Sequence, residues 1–177
     1  MTAEIHRAAE RRFAPWKNGG GETAEILCHP EGAGFDSFDW RISTARVDRS
    51  GPFSAFAGVD RVLTVLEGGA MDLRFEDGGH ILAGPGTGPH PFPGDSACTA
   101  TLRSGPLLDL NLMVRRPLRG SVHLPGQEVA AEGLRACYLF AVTDLPGMGL
   151  ARHDLLVLPE GAQVAPEGAL LIAIHDA

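Results

Sequence analysis

What the sequence is short of narrows its class first. Lysine is almost missing: fourteen of the fifteen basic residues are arginine, and the one lysine is Lys17. Against 22 acidic residues this leaves a net charge of −7, which argues against nucleic acid as a partner, because neutralising phosphates needs clustered cations in surplus. The three cysteines, Cys28, Cys98 and Cys137, form no CxxC pair, and an odd count at such spacing writes neither a disulfide framework nor a zinc knuckle. No apolar run approaches the roughly 18 residues of a spanning helix, and the opening MTAEIHRAAERR lacks the apolar centre of a leader peptide. A cytoplasmic protein with no membrane partner is expected.

Local catalytic and metal patterns are missing too. Histidines stand at 6, 29, 80, 90, 123, 153 and 175 without an HxH, HxxxH or HExxH among them, so no metal is expected and no cofactor. There is no GxSxG elbow for a serine nucleophile, and NGGGET at 18–23 fits neither GxxxxGKS/T nor GxGxxG. No residue stands out as catalytic. Helical periodicity is nearly absent; only residues 3–12 have helix-forming composition, over a length too short to decide.

What is there is a series of short apolar runs. Glycine and proline supply 36 of the 177 residues, and between them lie TAEILC (23–28), DWRISTARV (39–47), RVLTVLE (61–67), AMDLRF (70–75), ACTATLR (97–103), LLDLNLMV (107–114), RACYLFAV (135–142), DLLVLP (154–159) and ALLIAI (169–174). Such runs with such punctuation predict an all-β sandwich or barrel. Alternation sorts the residues of 107–115 into a face of Leu108, Leu110, Leu112 and Val114 and a face of Asp109, Asn111, Met113 and Arg115. Trp40 and Ile42 likewise oppose Asp39, Arg41 and Ser43. The polar faces either meet water, as is usual for antiparallel sheets, or line a pocket inside a barrel. LEGG at 66–69 predicts a tight hairpin. The Gly- and Pro-rich stretch 84–94 predicts an ordered loop or lid, and 117–133 a connector between two β units.

The most unusual stretch is APWKNGGGETAEI, 14–26. It sets Trp16, the sole lysine Lys17, Asn18 and three glycines in one tight segment. An ammonium, an indole, an amide and bare backbone N–H groups suit a small anion; a hairpin with a solvated lysine explains the same residues equally well.

PWKNGGGET (15–23), FDWRIS (38–43), GPFSAFAGVDRVLTVLEG (51–68), PFPGD (91–95) and DLNLMVRR (109–116) together resemble the HutD/Ves family of cupin-like proteins. The resemblance implies an all-β cupin fold, a double-stranded β-helix or jelly-roll barrel, as an internally duplicated bicupin: residues 1–120 as the unit with the family motifs, 121–177 as a second β unit packed on it in one compact body. With the last glycine of the general first cupin motif set on Gly68, its glutamate falls on Arg61, and its two histidines fall on Ala55 and Ala57 or on Ser54 and Phe56. In the second motif Pro159 and Gly161 match and Val164 takes the histidine position. The scaffold is kept and the metal ligands are lost. An arginine at a former carboxylate position needs a partner if it is buried, either Asp60, Glu67 or a carboxylate ligand, and its planar fork suits a carboxylate.

The resemblance implies a non-catalytic protein linked to histidine utilisation, regulatory in role, that binds a small carboxylate such as urocanate or a formyl or formimino glutamate. The expected ligand-binding residues are Trp16, Lys17, Asn18, Arg41, Arg61 and Asn111. Two alternatives accompany it: a metal-independent cupin isomerase, epimerase or lyase using Lys17, Glu22, His90 or His153 as acid or base, and a stress-related scaffold, which is the association of the Ves branch. A homodimer is compatible with either.

Overall fold

The computed structural model describes residues 4–177. It is all-β, 52% strand and 3% helical, with seventeen strands among the described residues, numbered β1 to β17 along the chain. All nine apolar runs become strands, because each is short, turn-bounded and buries an alternating set of side chains. Of the segment 3–12, Ala3 lies outside the described residues. The rest is not a helix beyond one 3-10 turn at Ala8–Glu10.

The chain divides into two compact units. The first, residues 12–116, has two antiparallel sheets. A six-stranded sheet runs β2 (Ala14–Pro15), β3 (Gly21–His29), β4 (Trp40–Val47), β11 (Leu107–Arg115), β6 (Val59–Gly68), β9 (His90–Pro93); a four-stranded sheet runs β5 (Gly51–Phe53), β10 (Cys98–Leu102), β7 (Met71–Phe75), β8 (His80–Ala83). Val47, Leu63, Val65, Phe92 and Leu107 from the larger sheet pack against Met71, Leu73, Ala83, Cys98 and Ala100 from the smaller. The strands thus form two separately hydrogen-bonded layers rather than one continuous closed barrel.

The second unit combines residues 4–11 with 117–177. Its five-stranded sheet runs β1 (Ile5–His6), β15 (Leu155–Leu158), β14 (Leu134–Ala141), β17 (Ala169–His175), β12 (Arg119–His123), and a two-stranded ribbon pairs β13 (Glu128–Val129) with β16 (Gln163–Val164). Cys137, Leu139, Ala141, Leu156, Leu171 and Ala173 lie at its core. Sequence placed the division at 120/121; the structure places it at 116/117 and gives the N-terminal segment to the second unit, because β1 pairs with β15.

Three local expectations are corrected. LEGG at 66–69 is not a hairpin: β6 pairs with β11 and β9, β7 with β10 and β8, so the chain changes sheets there. Gly68 and Gly69 are needed because a Cβ on either would collide with the backbone of residues 104–107. The hairpin is instead at 76–79, between β7 and β8, where Gly78 has φ +91° and Asp77 Oδ1 accepts from the Gly79 N–H at 2.9 Å. The stretch 84–94 ends in β9, an edge strand on β6 that tolerates Pro91 and Pro93. The connector 117–133 contains β12 and β13, each paired within the second unit.

Asp154 anchors the N-terminal segment. It is 1% exposed, and its carboxylate accepts from the N–H of Ala8 at 2.7 Å, of Ala151 at 3.0 Å and from Arg7 Nη1 at 2.7 Å. Burial pushes its pKa up, but these donors outweigh burial and hold it below the ordinary 3.8. The stabilisation is therefore complete above pH 3.8 and lost as pH falls through the depressed value. Replacing Asp154→Asn should cost about 2 kcal/mol near neutrality and open the chain to trypsin at Arg7 and Arg11. Denaturant titrations should show the gap from the parent closing in acid.

Candidate functional site

The register of three neighbouring strands builds the site. Across β4, β11 and β6, Arg41, Met113 and Arg61 form one rung, Ser43, Asn111 and Leu63 the next, and Ala45, Asp109 and Val65 the third. Strands lie about 4.8 Å apart and alternate residues about 6.7 Å, so these side chains project from one small patch on the inner face of the larger sheet. The polar face of 107–115 therefore does not meet water through Asp109 and Asn111; both are buried. The opposite face, with Ile42, Leu110 and Leu112, is buried as well.

Over this patch lies a cavity of about 610 Å³. Its polar wall is Lys17, Asn18, Arg41, Ser43, Arg61, Asp109 and Asn111, and its aromatic wall Trp16, Phe35, Phe53 and Phe56. All six expected binding residues, Trp16, Lys17, Asn18, Arg41, Arg61 and Asn111, line it. Of the four acid–base candidates only Lys17 does. Glu22 is paired with Arg46 at 2.7 Å, His90 bonds Thr87 at 2.9 Å, and His153 stacks on Phe140 in the second unit.

Arg61 is the deepest cation, 6% exposed. Its Nε donates to Asn111 Oδ1 at 3.4 Å, and its guanidinium lies 5.3 to 5.8 Å from the ring centres of Phe53, Phe56 and Phe92. Of the expected internal partners, Asp60 binds Arg116 instead, at 2.5 Å. Its terminal nitrogens have no hydrogen-bond partner among the described residues. Burial lowers its pKa while Asp109 raises it. Arg41, by contrast, donates through Nε to Glu25 at 2.8 Å and lies over Phe35 at 5.0 Å.

The glycine segment forms the rim. Trp16 N–H and Gly19 N–H close a turn onto Gly21 O and Trp16 O, and Asn18 Oδ1 accepts from Gly20 N–H at 2.9 Å. The indole donates to Thr23 Oγ1 at 2.7 Å and meets Phe53 edge-on at 5.8 Å. Lys17 is exposed.

Asp109 was missed by sequence reasoning as a site residue. Burial pushes its carboxyl up to about 7 against the pull of Arg61. The signal was an acid alternating with leucines on a strand, which reads just as well as a wet face.

The lining holds three cations, a single carboxylate and no histidine. Among the described residues no three His, Cys, Asp or Glu side chains group as metal ligands. These residues do not fit the divalent metal that cupins commonly hold; of the positions that the resemblance aligned with metal ligands, Ser54, Phe56 and Arg61 line the cavity, and Ala55, Ala57 and Val164 do not.

The class so defined is an all-β protein with a fold shared by cupin-like solved structures and a cationic cavity between its sheets. The HutD family model matches residues 8–171, and the chain belongs to the HutD family. It is 35% identical over 171 residues to Protein Ves of Citrobacter koseri, covering 89% of this chain and 86% of that one. It is 40% identical over 116 residues to a 21.2 kDa protein in the hutC 3' region of Pseudomonas putida, covering 62% and 57%. The structure of HutD from Pseudomonas fluorescens SBW25, in a formate condition, superimposes with a TM-score of 0.83 at 31% identity over 99% of this chain and 100% of that one.

Two outcomes follow from this geometry. A Cβ on Gly21 would collide with the Arg46 carbonyl oxygen and meet the Trp16 ring at 3.1 Å, whereas Gly19, at φ +70°, faces open space. Gly21→Ala should therefore cost about 1–3 kcal/mol and shift tryptophan emission, while Gly19→Ala should cost about 1–2 kcal/mol and leave emission unchanged. Because the folded Asp109 holds its proton up to about pH 7 against an ordinary value of 3.8, its contribution to stability is complete below 3.8 and lost as pH rises through about 7. The melting temperature of the parent minus that of Asp109→Asn should fall across that window and level off above it.

Proposed function

We propose that the cavity of residues 12–116 binds a small carboxylate metabolite without converting it, and that binding reports the level of that metabolite to a cellular process. One observation carries the reading: a buried arginine, Arg61, lines an aromatic-walled cavity, and among the described residues only its Nε has a hydrogen-bond partner. A guanidinium taken from water without a partner is costly, and a carboxylate in its fork supplies two charge-assisted bonds at once. Arg41 and Lys17 add positive potential, while Asn18 and Asn111 are placed to read a polar end. The place of the Pseudomonas putida relative in a hutC region supports a ligand from histidine utilisation, with urocanate and formyl or formimino glutamate as candidates.

In this reading the protein works in the cytoplasm without metal or cofactor, and as a bicupin whose units, each with its own sheets and core, derive from one barrel. A second reading, a metal-independent cupin enzyme, is favoured by Asp109 alone, since a buried carboxyl with a pKa of about 7 suits proton transfer. The stress association of the Ves branch would instead make the unit a scaffold, which several convergent polar groups in one cavity disfavour.

Thermal-shift titration with urocanate, N-formylglutamate and glutamate tests the proposal. A ligand bound only by the folded state adds RT ln(1 + [L]/Kd), about 2.7 kcal/mol at a hundredfold excess over Kd, so at least one should raise the melting temperature with dose. Arg61→Ala should abolish that rise and Arg61→Lys, which keeps the charge but loses the fork, should reduce it. If Arg61→Ala binds such an acid as well as the parent does, the arginine is structural and the reading falls. Turnover of a bound acid in the titrations would favour the enzyme instead.

A further inference from the structure

Carboxylate binding at Arg61 leaves one buried carboxyl group in the same cavity without a role. Three aspartates are buried: Asp72, Asp109 and Asp154. Asp72, 3% exposed, is bonded by His80 at 2.9 Å and by Arg103. Asp154 accepts three hydrogen bonds. Asp109 is 2% exposed and faces the cavity, yet nothing among the described residues hydrogen-bonds or ion-pairs with its side chain. It is not a counter-ion in contact with Arg61: the arginine reaches only to Asn111, which stands two residues from Asp109 on the same strand, about 6.7 Å away by strand geometry.

A carboxylate that has lost water and gained no donor is as unsatisfied as the guanidinium beside it. Their backbone positions lie on one sheet face two rungs apart, but the Arg61 side chain runs along that face to Asn111, one rung from Asp109, and Phe53 and Phe56 line the same cavity. We propose that Asp109 is a second subsite, which accepts a hydrogen bond from an N–H of the same ligand whose carboxylate sits on Arg61. The ligand class is then a small, flat acid carrying a nitrogen donor on the order of 5–7 Å from its carboxylate, a span set by the rung spacing. This rests on the carboxylate reading above and narrows it: plain dicarboxylates meet Asp109 with like charge, whereas an acid with a nitrogen donor returns to it the solvation that burial removed.

The test compares two acids of the same shape by isothermal titration calorimetry at pH 8, above the value of about 7 through which Asp109 ionises. Trans-3-(4-imidazolyl)propenoate, which is urocanate, offers a ring N–H; trans-3-(2-furyl)propenoate has a ring of the same size with oxygen and no donor. The parent should bind the imidazole acid about tenfold or more tightly than the furan acid, the size of a charge-assisted bond at a desolvated site. Asp109→Asn and Asp109→Ala should bring the ratio to within about twofold and bind the furan acid at least as tightly as the parent, since a like charge is gone. Equal affinities in the parent, which need no variant to read, overturn the proposal. So does a ratio in the variants unchanged from the parent, and in both cases carboxylate binding itself stands. If the parent binds neither acid, the carboxylate reading falls and this subsite with it.

Discussion

Everything around the cavity answers to one constraint: a guanidinium has been put inside a β sandwich. Burying an unpaired charge costs several kcal/mol even after relaxation, so Arg61 persists only because its surroundings return part of that energy. Three phenylalanine faces, the amide of Asn111 and the field of Asp109 do so. None is a full partner, and the terminal nitrogens keep hydrogen-bonding capacity that no described residue uses.

That constraint divides the interior of residues 12–116 along its length. Where β4, β6 and β11 approach Val47, Val65 and Leu107, the sheets close on aliphatic side chains. A few residues further along the same strands, Ser43, Arg61 and Asn111 face the interior instead, and the sheets hold a cavity. The apolar end sets sheet spacing and so holds the polar end open as a preformed cavity. The glycine segment belongs to the same design: Gly21 lets the chain pass against Arg46, which seats the indole of Trp16 on Phe53 at the rim.

The sequence was legible wherever burial imposed a period. Runs such as LLDLNLMV and ALLIAI became strands within about one residue of their ends because alternate side chains enter a core. The short strands were not, since two or three residues such as Ala14–Pro15 or Gln163–Val164 carry no periodicity and are fixed by the neighbour they pair with. Gly68–Gly69 was misread because turn composition reports a local bend and cannot report which sheet the chain enters next. At the site, alternation put Asp109 and Asn111 on one face, but only register across β4, β11 and β6 shows that this face meets Arg41 and Arg61. The six expected residues share a cavity. Asp109 stayed hidden because an acid among leucines is common on wet strands, and nothing local marks it as dry.

The N-terminal segment has a consequence for how the chain is made. Ala8 and Arg7 bond a carboxylate 146 and 147 residues away, and Ile5 pairs with Leu156. On the ribosome, that partner emerges only after some 146 further residues have been added. The strands of 12–116 are complete far earlier and find all their pairings among themselves. The sheets of 12–116 can therefore form while residues 4–11 still lack a partner, and the closing of that very long loop, whose entropic cost grows only logarithmically with length, comes last. The order of synthesis thus separates the two units in time: one can close its sheets early, while the other waits for Asp154 and β15.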